Sequence, residues 1–178
     1  MSDEHIASIE VIGYRDSYRL SPHFTYGEFT ISQTATRKNI NNQPNEDEMR
    51  NLEALCSVIL EPIRTHFDNK YVEIHSGFRC KKLNTAVGGS TRSQHRFGQA
   101  SDIKIPPHQI QEIFEWVVLV SELPYDQIIW EFGRWIHISH KLVGTNRRKN
   151  TLATKNDSGK TVYTHYTTDQ IIKGIDYA

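Results

Sequence analysis

His95 and Asp102 stand seven residues apart in "SQHRFGQASDIKI", residues 93–105. An imidazole nitrogen and a carboxylate oxygen are both ligands for a borderline-soft cation such as zinc. A chain that turns at Gly98 and re-enters a sheet can aim two such side chains at one centre. A catalytic zinc site takes three protein ligands and leaves one position open. His137, set between two apolar neighbours in "WIHIS", offers the third. The spacing alone is a weak signal, because His and Asp around a glycine serve equally well as turn and capping groups.

Those residues need elements to hold them. "YVEIHSG" reads as a strand that stops at Gly77, and "ASDIKI" as a second strand carrying Asp102. "YDQIIWEF" and "WIHISH" are β-rich runs around Gly133-Arg134, a hairpin signal. "NTLATK" and "KTVYTHY" form another hairpin around Asn156–Gly159. A helix is expected from the N-cap Asn45, with acidic residues in its first turn. Its buried stripe is Met49, Leu52, Cys56, Ile59, Ile63 and Phe67, and Pro62 should bend it or end its first part. "KKLNTAVGGS" is a short helical turn broken by Gly88-Gly89. Pro106-Pro107 open a further helix with Ile110, Ile113, Phe114 and Val117 on one face. The N-terminal "ASIEVIGY" reads as a short strand, and "FTYGEFTISQTATRKNINNQP" as mostly coil. The class is α+β, helices packed on a small, mainly antiparallel sheet.

Bulk properties narrow the function. A chain of 178 residues suits a single domain, 1–178, with its core at about 20–165. Lys plus Arg and Asp plus Glu both number 21, so charge gives no case for nucleic acid as a partner. No segment approaches the roughly 18 apolar residues of a membrane helix, so no membrane insertion is expected. The acidic "MSDEHIASIEVIGYRD" does not read as a signal peptide, which implies synthesis in a cytoplasm. Cys56 and Cys80 fit no disulfide framework and no zinc motif, and are expected as two reduced, partly buried thiols.

"SGFRCKKLNTAVGGSTRSQHRFGQASDIKI" followed by "WIHIS" resembles the zinc D-Ala-D-Ala carboxypeptidase and L-alanyl-D-glutamate endopeptidase family, most of all its short phage-encoded members. The matching positions are Ser76-Gly77-Phe78-Arg79, then Ser93, His95, Gly98, Ala100 and Asp102, then His137. The likeness extends loosely over about residues 20–165. It implies a peptidase of peptidoglycan stem peptides with Zn2+ held by His95, Asp102 and His137. It implies that Arg79 binds substrate and stabilises an oxyanion, a role suited to a planar guanidinium. Ser93 is a candidate hydrogen-bond partner of the substrate peptide. Delivery to the wall is expected through a holin-like partner or on a virion.

One position departs from the family's pattern. Many relatives carry the general base as Glu three residues before the last histidine, where this chain has Arg134. Glu131 and His140 are the nearby alternatives. A three-residue loop, Gly133-Arg134-Trp135, would set Glu131 opposite His137 on the same sheet face. A two-residue loop would pair Trp130 with His137 and turn Glu131 away. Glu131 is favoured, because a carboxylate within "IIWEF" is a costly choice for a purely structural position. His140 falls on the other strand face and reads as a surface residue. Trp130 and Trp135 flank the site as core or as pocket wall, while Phe114 and Trp116 are core by helical spacing. The remaining histidines, and the turn Arg147-Arg148-Lys149, read as solvated or locally satisfied. Two other classes fit the same residues: an inactive zinc-containing peptidoglycan-binding or virion structural protein, and a dipeptidase of small free peptides.

Overall fold

The computed structural model describes residues 16–177, so the expected strand at 7–14 lies outside the described residues. Strands β1 (Arg19–Ser21) and β2 (Phe24–Thr25) form a small antiparallel ribbon. The segment after it is not the coil expected from its polar composition. It forms two short helices, α1 (Tyr26–Thr30) and α2 (Gln33–Arg37). Local capping explains the difference. Glu28 reaches back to the Thr25 backbone N–H at 2.7 Å, and Ser32 Oγ accepts from the Ala35 N–H at 3.3 Å. Each bond satisfies a donor that a helix start would otherwise leave open.

Helix α3 (Glu46–Leu55) starts where the sequence places it. Asn45 Oδ1 accepts from the Glu48 N–H at 2.9 Å, and Glu48 returns the bond to the Asn45 N–H at 2.8 Å. The helix passes through a π-helical turn (Cys56–Leu60) into α4 (Glu61–His66). Pro62 has no N–H and crowds the carbonyl four residues back. The wider turn just before it, closed by the Glu61 N–H on the Cys56 carbonyl, lets the axis continue.

Next come β3 (Glu73–Ser76), α5 (Lys81–Ala86), a 3-10 turn (Gln94–Phe97) and β4 (Ala100–Lys104). Helix α6 (Ile110–Glu115) begins three residues after Pro107, with Gln109 as its N-cap, and runs into a second π-helical turn (Trp116–Val120). Strands β5 (Gln127–Glu131), β6 (Trp135–Ser139), β7 (Lys149–Lys155) and β8 (Thr161–Tyr166) follow, then α7 (Thr168–Ile172). The main sheet has the order β3-β4-β6-β5-β7-β8. Only β5 and β7 are parallel neighbours; every other pairing is antiparallel.

One face of this sheet is the core. Ile103, Ile128, Trp130, Ile136, Ile138 and Leu152 pack against Leu52, Leu55, Ile59 and Ile63 of the long helix and against Ile113, Phe114 and Val117. Full burial of each such side chain contributes roughly 1.5–3 kcal/mol. Because strand side chains alternate, the same packing turns Asp102, His137 and Glu131 to the opposite face. Trp116 is only partly buried and stacks on His66, with ring centroids 4.0 Å apart. Both cysteines are free thiols, Cys56 buried and Cys80 half-buried. No helix among the described residues is long and apolar enough to cross a membrane.

Candidate metal centre and cleft

Two of the three candidate ligands are placed by strand pairing. Asp102 on β4 is directly opposite His137 on β6. His95 comes from the 3-10 turn that leads into β4, and that turn is fixed from both ends. Gly98 closes it at φ +66°, where a Cβ would sit 2.3 Å from the Glu48 carbonyl oxygen of α3. Upstream, Gly77 runs so close to α1 that a Cβ would lie 2.6 Å from the Phe29 backbone. That approach presents the Gly77 carbonyl to the His95 ring, which donates through Nδ1 at 2.7 Å. The Arg79 N–H bonds in turn to the His95 carbonyl at 3.1 Å.

The result is a tight triangle. His95 Nε2 lies 3.1 Å from His137 Nδ1 and 3.2 Å from Asp102 Oδ1, and the last two are 2.9 Å apart. With Nδ1 of His95 committed as a donor, its Nε2 presents a lone pair towards the other two groups. Three donor atoms so arranged suit a cation. Tetrahedral bonds of about 2.0–2.1 Å put ligand atoms roughly 3.3 Å apart, close to the spacing seen. His95, Asp102 and His137 are close enough to hold one metal ion, and the Gly77 carbonyl orients His95 as a supporting group does at metal sites. All three side chains are largely buried. Burial lowers the His95 pKa. Burial pushes the Asp102 pKa up, but the two histidines outweigh it and hold this carboxyl far below the usual carboxylate range.

Around this cluster lies a cleft of about 910 Å³ on the sheet face away from the core. Arg79, Ser93 and Glu131 line it with the three candidate ligands. Arg79 is half-buried, and its guanidinium makes no hydrogen bond or ion pair among the described residues; its Nε is fully buried. Burial lowers its pKa, opposed by the negative charge of Asp102 and Glu131. Ser93 caps the 3-10 turn without a side-chain hydrogen bond to it, which leaves its hydroxyl on the cleft wall.

The hairpin register differs from both expected alternatives. Glu131 pairs with Trp135, and Ile129 pairs with His137. The turn is Phe132-Gly133-Arg134, with Phe132 at φ +54°, Gly133 at φ +64°, and the Arg134 N–H bonded to the Glu131 carbonyl at 2.8 Å. Two consecutive left-handed residues match the twist of a hairpin, and this fixes the register locally. The shift is by an even step, so Glu131 still shares a face with His137, as a diagonal neighbour about 7–8 Å away at Cα. Trp135 Nε1 donates to Glu131 Oε2 at 3.1 Å, and the carboxylate lines the cleft. The Glu131 pKa is raised, first by burial and then by the charge of Asp102, with His137, Trp135 and Arg79 pulling the other way.

His140 is buried rather than on the surface. Its Nδ1 bonds to the Pro124 carbonyl at 2.8 Å, and it does not line the cleft. Trp130 is core and Trp135 is wall. Arg147 and Arg148 are exposed, as expected, but the segment leads straight into β7 rather than forming a turn, and its side chains are engaged. Arg147 binds Asp126, Arg148 lies over the Tyr125 ring at 4.7 Å, and Lys149 opens β7 facing the cleft. Tyr163 and His165 of β8 also face it, opposite Ala153 and Thr151. The alternation in "KTVYTHY" puts them on one face, but only the parallel β5–β7 pairing, which no local pattern announces, brings that face to the site.

A family model described as Peptidase M15 matches residues 22–139, a span that includes all three candidate ligands. No curated protein matches the chain.

Proposed function

This chain belongs to the peptidase M15 family, and from that premise we propose that it is a zinc-dependent peptidase of bacterial cell-wall peptidoglycan, acting on the stem peptides. The carrying observation is the triangle of donor atoms, 2.9–3.2 Å on its sides, in one cleft with a carboxylate and an unpaired guanidinium. His95, Asp102 and His137 would hold the zinc, which when bound would supply a Lewis acid for activating water near neutral pH. The chain's own groups supply the remaining steps. Glu131, one strand from His137, accepts the proton of the attacking water and passes it to the leaving amine. Arg79 holds the substrate's carbonyl or carboxylate oxygen and gains most as negative charge develops there. Ser93 donates or accepts a hydrogen bond on the peptide backbone. The missing glutamate three residues before His137 is replaced by one from the neighbouring strand, which supports catalysis over mere binding.

The test is direct. Purified chain should carry about one zinc, and chelation should abolish turnover. His95→Ala and His137→Ala should lose metal and activity together. Mass spectrometry of muropeptides after digestion of sacculi should show a single new peptide terminus, which identifies the bond cut. A fully active, metal-free preparation ends the zinc reading. Activity on dipeptides alone ends the cell-wall one, and zinc without any turnover supports a binding protein instead.

A further inference from the structure

The cleft continues beyond the candidate metal centre, and its far end is built from residues after 139, where the family match stops. Three cations meet there: Lys141, Arg147 and Lys149. Asp126, whose side chain is fully buried, offsets part of their charge. It accepts from Arg147 Nε at 2.9 Å and pairs with Lys141 Nζ at 2.9 Å. Gln94, on the turn that carries His95, adds an amide bond to the same carboxylate at 3.0 Å. One negative charge therefore fixes two cations and leaves the cluster with an excess of two. Lys149 has no such partner. It is half-buried on the cleft face, and its ammonium makes no hydrogen bond or ion pair among the described residues. Its charge, after burial, is what lowers the pKa of nearby His165.

Register gives the separation. Lys149 pairs with Gln127, two residues along β5 from Ile129, which is opposite His137. Two strand spacings across and two residues along amount to about 12 Å between the Cα atoms of Lys149 and His137. An extended peptide advances about 3.3–3.6 Å per residue, so it covers that distance in roughly three residues. Arg79, which follows β3, lies on the other side of the cluster. The cleft thus has a positive group at each side and the three candidate ligands between them.

We propose that Lys149, backed by Arg147 and Lys141, is a carboxylate subsite, and that the cleft selects anionic peptides with an acidic group about two to three residues from the bond that is cut. This deepens the peptidase reading and rests on it. A half-buried ammonium distinguishes a carboxylate from an isosteric amide by charge, and a charge-assisted hydrogen bond in such a place is worth on the order of tenfold or more.

The experiment uses synthetic stem pentapeptides, one with every carboxylate free and others amidated at each carboxylate in turn. For wild type, one of these amidations should lower kcat/KM about tenfold or more, mainly through KM. In Lys149→Gln the ratio between the free and amidated peptides should fall towards one, and Lys149→Arg should restore it. Calorimetric binding of the same peptides to the zinc-loaded Glu131→Gln chain, with and without Lys149→Gln, separates the subsite from turnover. If wild type cleaves none of them but the binding ratio depends on Lys149, the subsite stands and the peptidase reading fails. Identical ratios in wild type and in Lys149→Gln, in turnover and in binding, overturn the subsite.

Discussion

Glu131 and Arg79 are charged groups of the cleft outside the candidate ligand set, and each makes a prediction of its own. Burial and the neighbouring Asp102 charge raise the Glu131 pKa, while Trp135 keeps one oxygen fixed. A base with a raised pKa is better matched to proton transfer near neutral pH than an ordinary carboxylate. It acts only when deprotonated, so kcat/KM should fall as pH drops through that raised value, above the roughly 4.3 of a free glutamate. Glu131→Gln should keep zinc and melting temperature, lose about two or more orders of magnitude in kcat, and lose that acidic limb. His140→Ala should retain most activity, since its ring is occupied by the Pro124 carbonyl; the reverse pattern in these two variants moves the base to His140. Arg79→Ala should keep zinc yet lower kcat/KM by roughly 100-fold, the size expected of one oxyanion donor. Lys should rescue poorly because it lacks the planar fork. Wild-type rates in Arg79→Ala make the residue structural.

The 3-10 turn at residues 94–97 is the element on which the candidate metal centre depends most. His95 has its position because Gly98 ends the turn in a left-handed conformation against the Glu48 carbonyl. Both the strain and the contact oppose a side chain there. Gly98→Ala should cost at least about 2 kcal/mol, combining an unfavourable φ with a backbone clash. Relief of the clash must move the turn, so zinc affinity should weaken more in Gly98→Ala than in an exposed control such as Gly88→Ala. Gly88 also has φ +73° but open space around its Cβ position. Equal losses of stability and zinc affinity in the two variants show that backbone strain alone matters and that the turn is not braced by α3.

At the scale of the whole molecule, Asp126 ties three distant parts of the chain together: Gln94 beside His95, Lys141 after β6, and Arg147 before β7. Burial works to raise its pKa, but hydrogen bonds from Arg147 and Lys141 outweigh that and hold it down to about 2. In the unfolded chain an aspartate titrates near 3.9. A depressed folded-state value means the contribution is fully present above that unfolded pKa and is lost as pH falls from about 4 towards 2. Chemical denaturation across that window should show wild type losing stability faster than Asp126→Asn. At pH 7 the variant should be less stable by about 1–3 kcal/mol, since its cationic partners can still reach water. Parallel acid profiles for the two proteins assign the acid sensitivity to other carboxylates.

The sequence by itself determined the parts of this protein that are governed by neighbours along the chain. Asn45 with Glu48 defines a helix start, Gly98 a turn, and "ASDIKI" a strand, and each appears where the residues place it. Even the parity of Glu131 survived a wrong register, because two-residue alternation depends only on which strand face is apolar. The three candidate ligands were legible mainly through the family resemblance, because the spacing is weak by itself; strand alternation adds only that Asp102 and His137 face away from the apolar side of their strands. The helices within 26–37 were missed because capping bonds of single polar side chains, not apolar periodicity, stabilise them. Only the tertiary structure decided the rest. Strand order is set by long-range pairing whose energy is spread over many weak contacts, so nothing local in "NTLATK" states that β7 lies parallel to β5. That single pairing carries Lys149, Tyr163 and His165 to the cleft, places Arg147 on Asp126, and turns what reads as a charged turn into one end of the site.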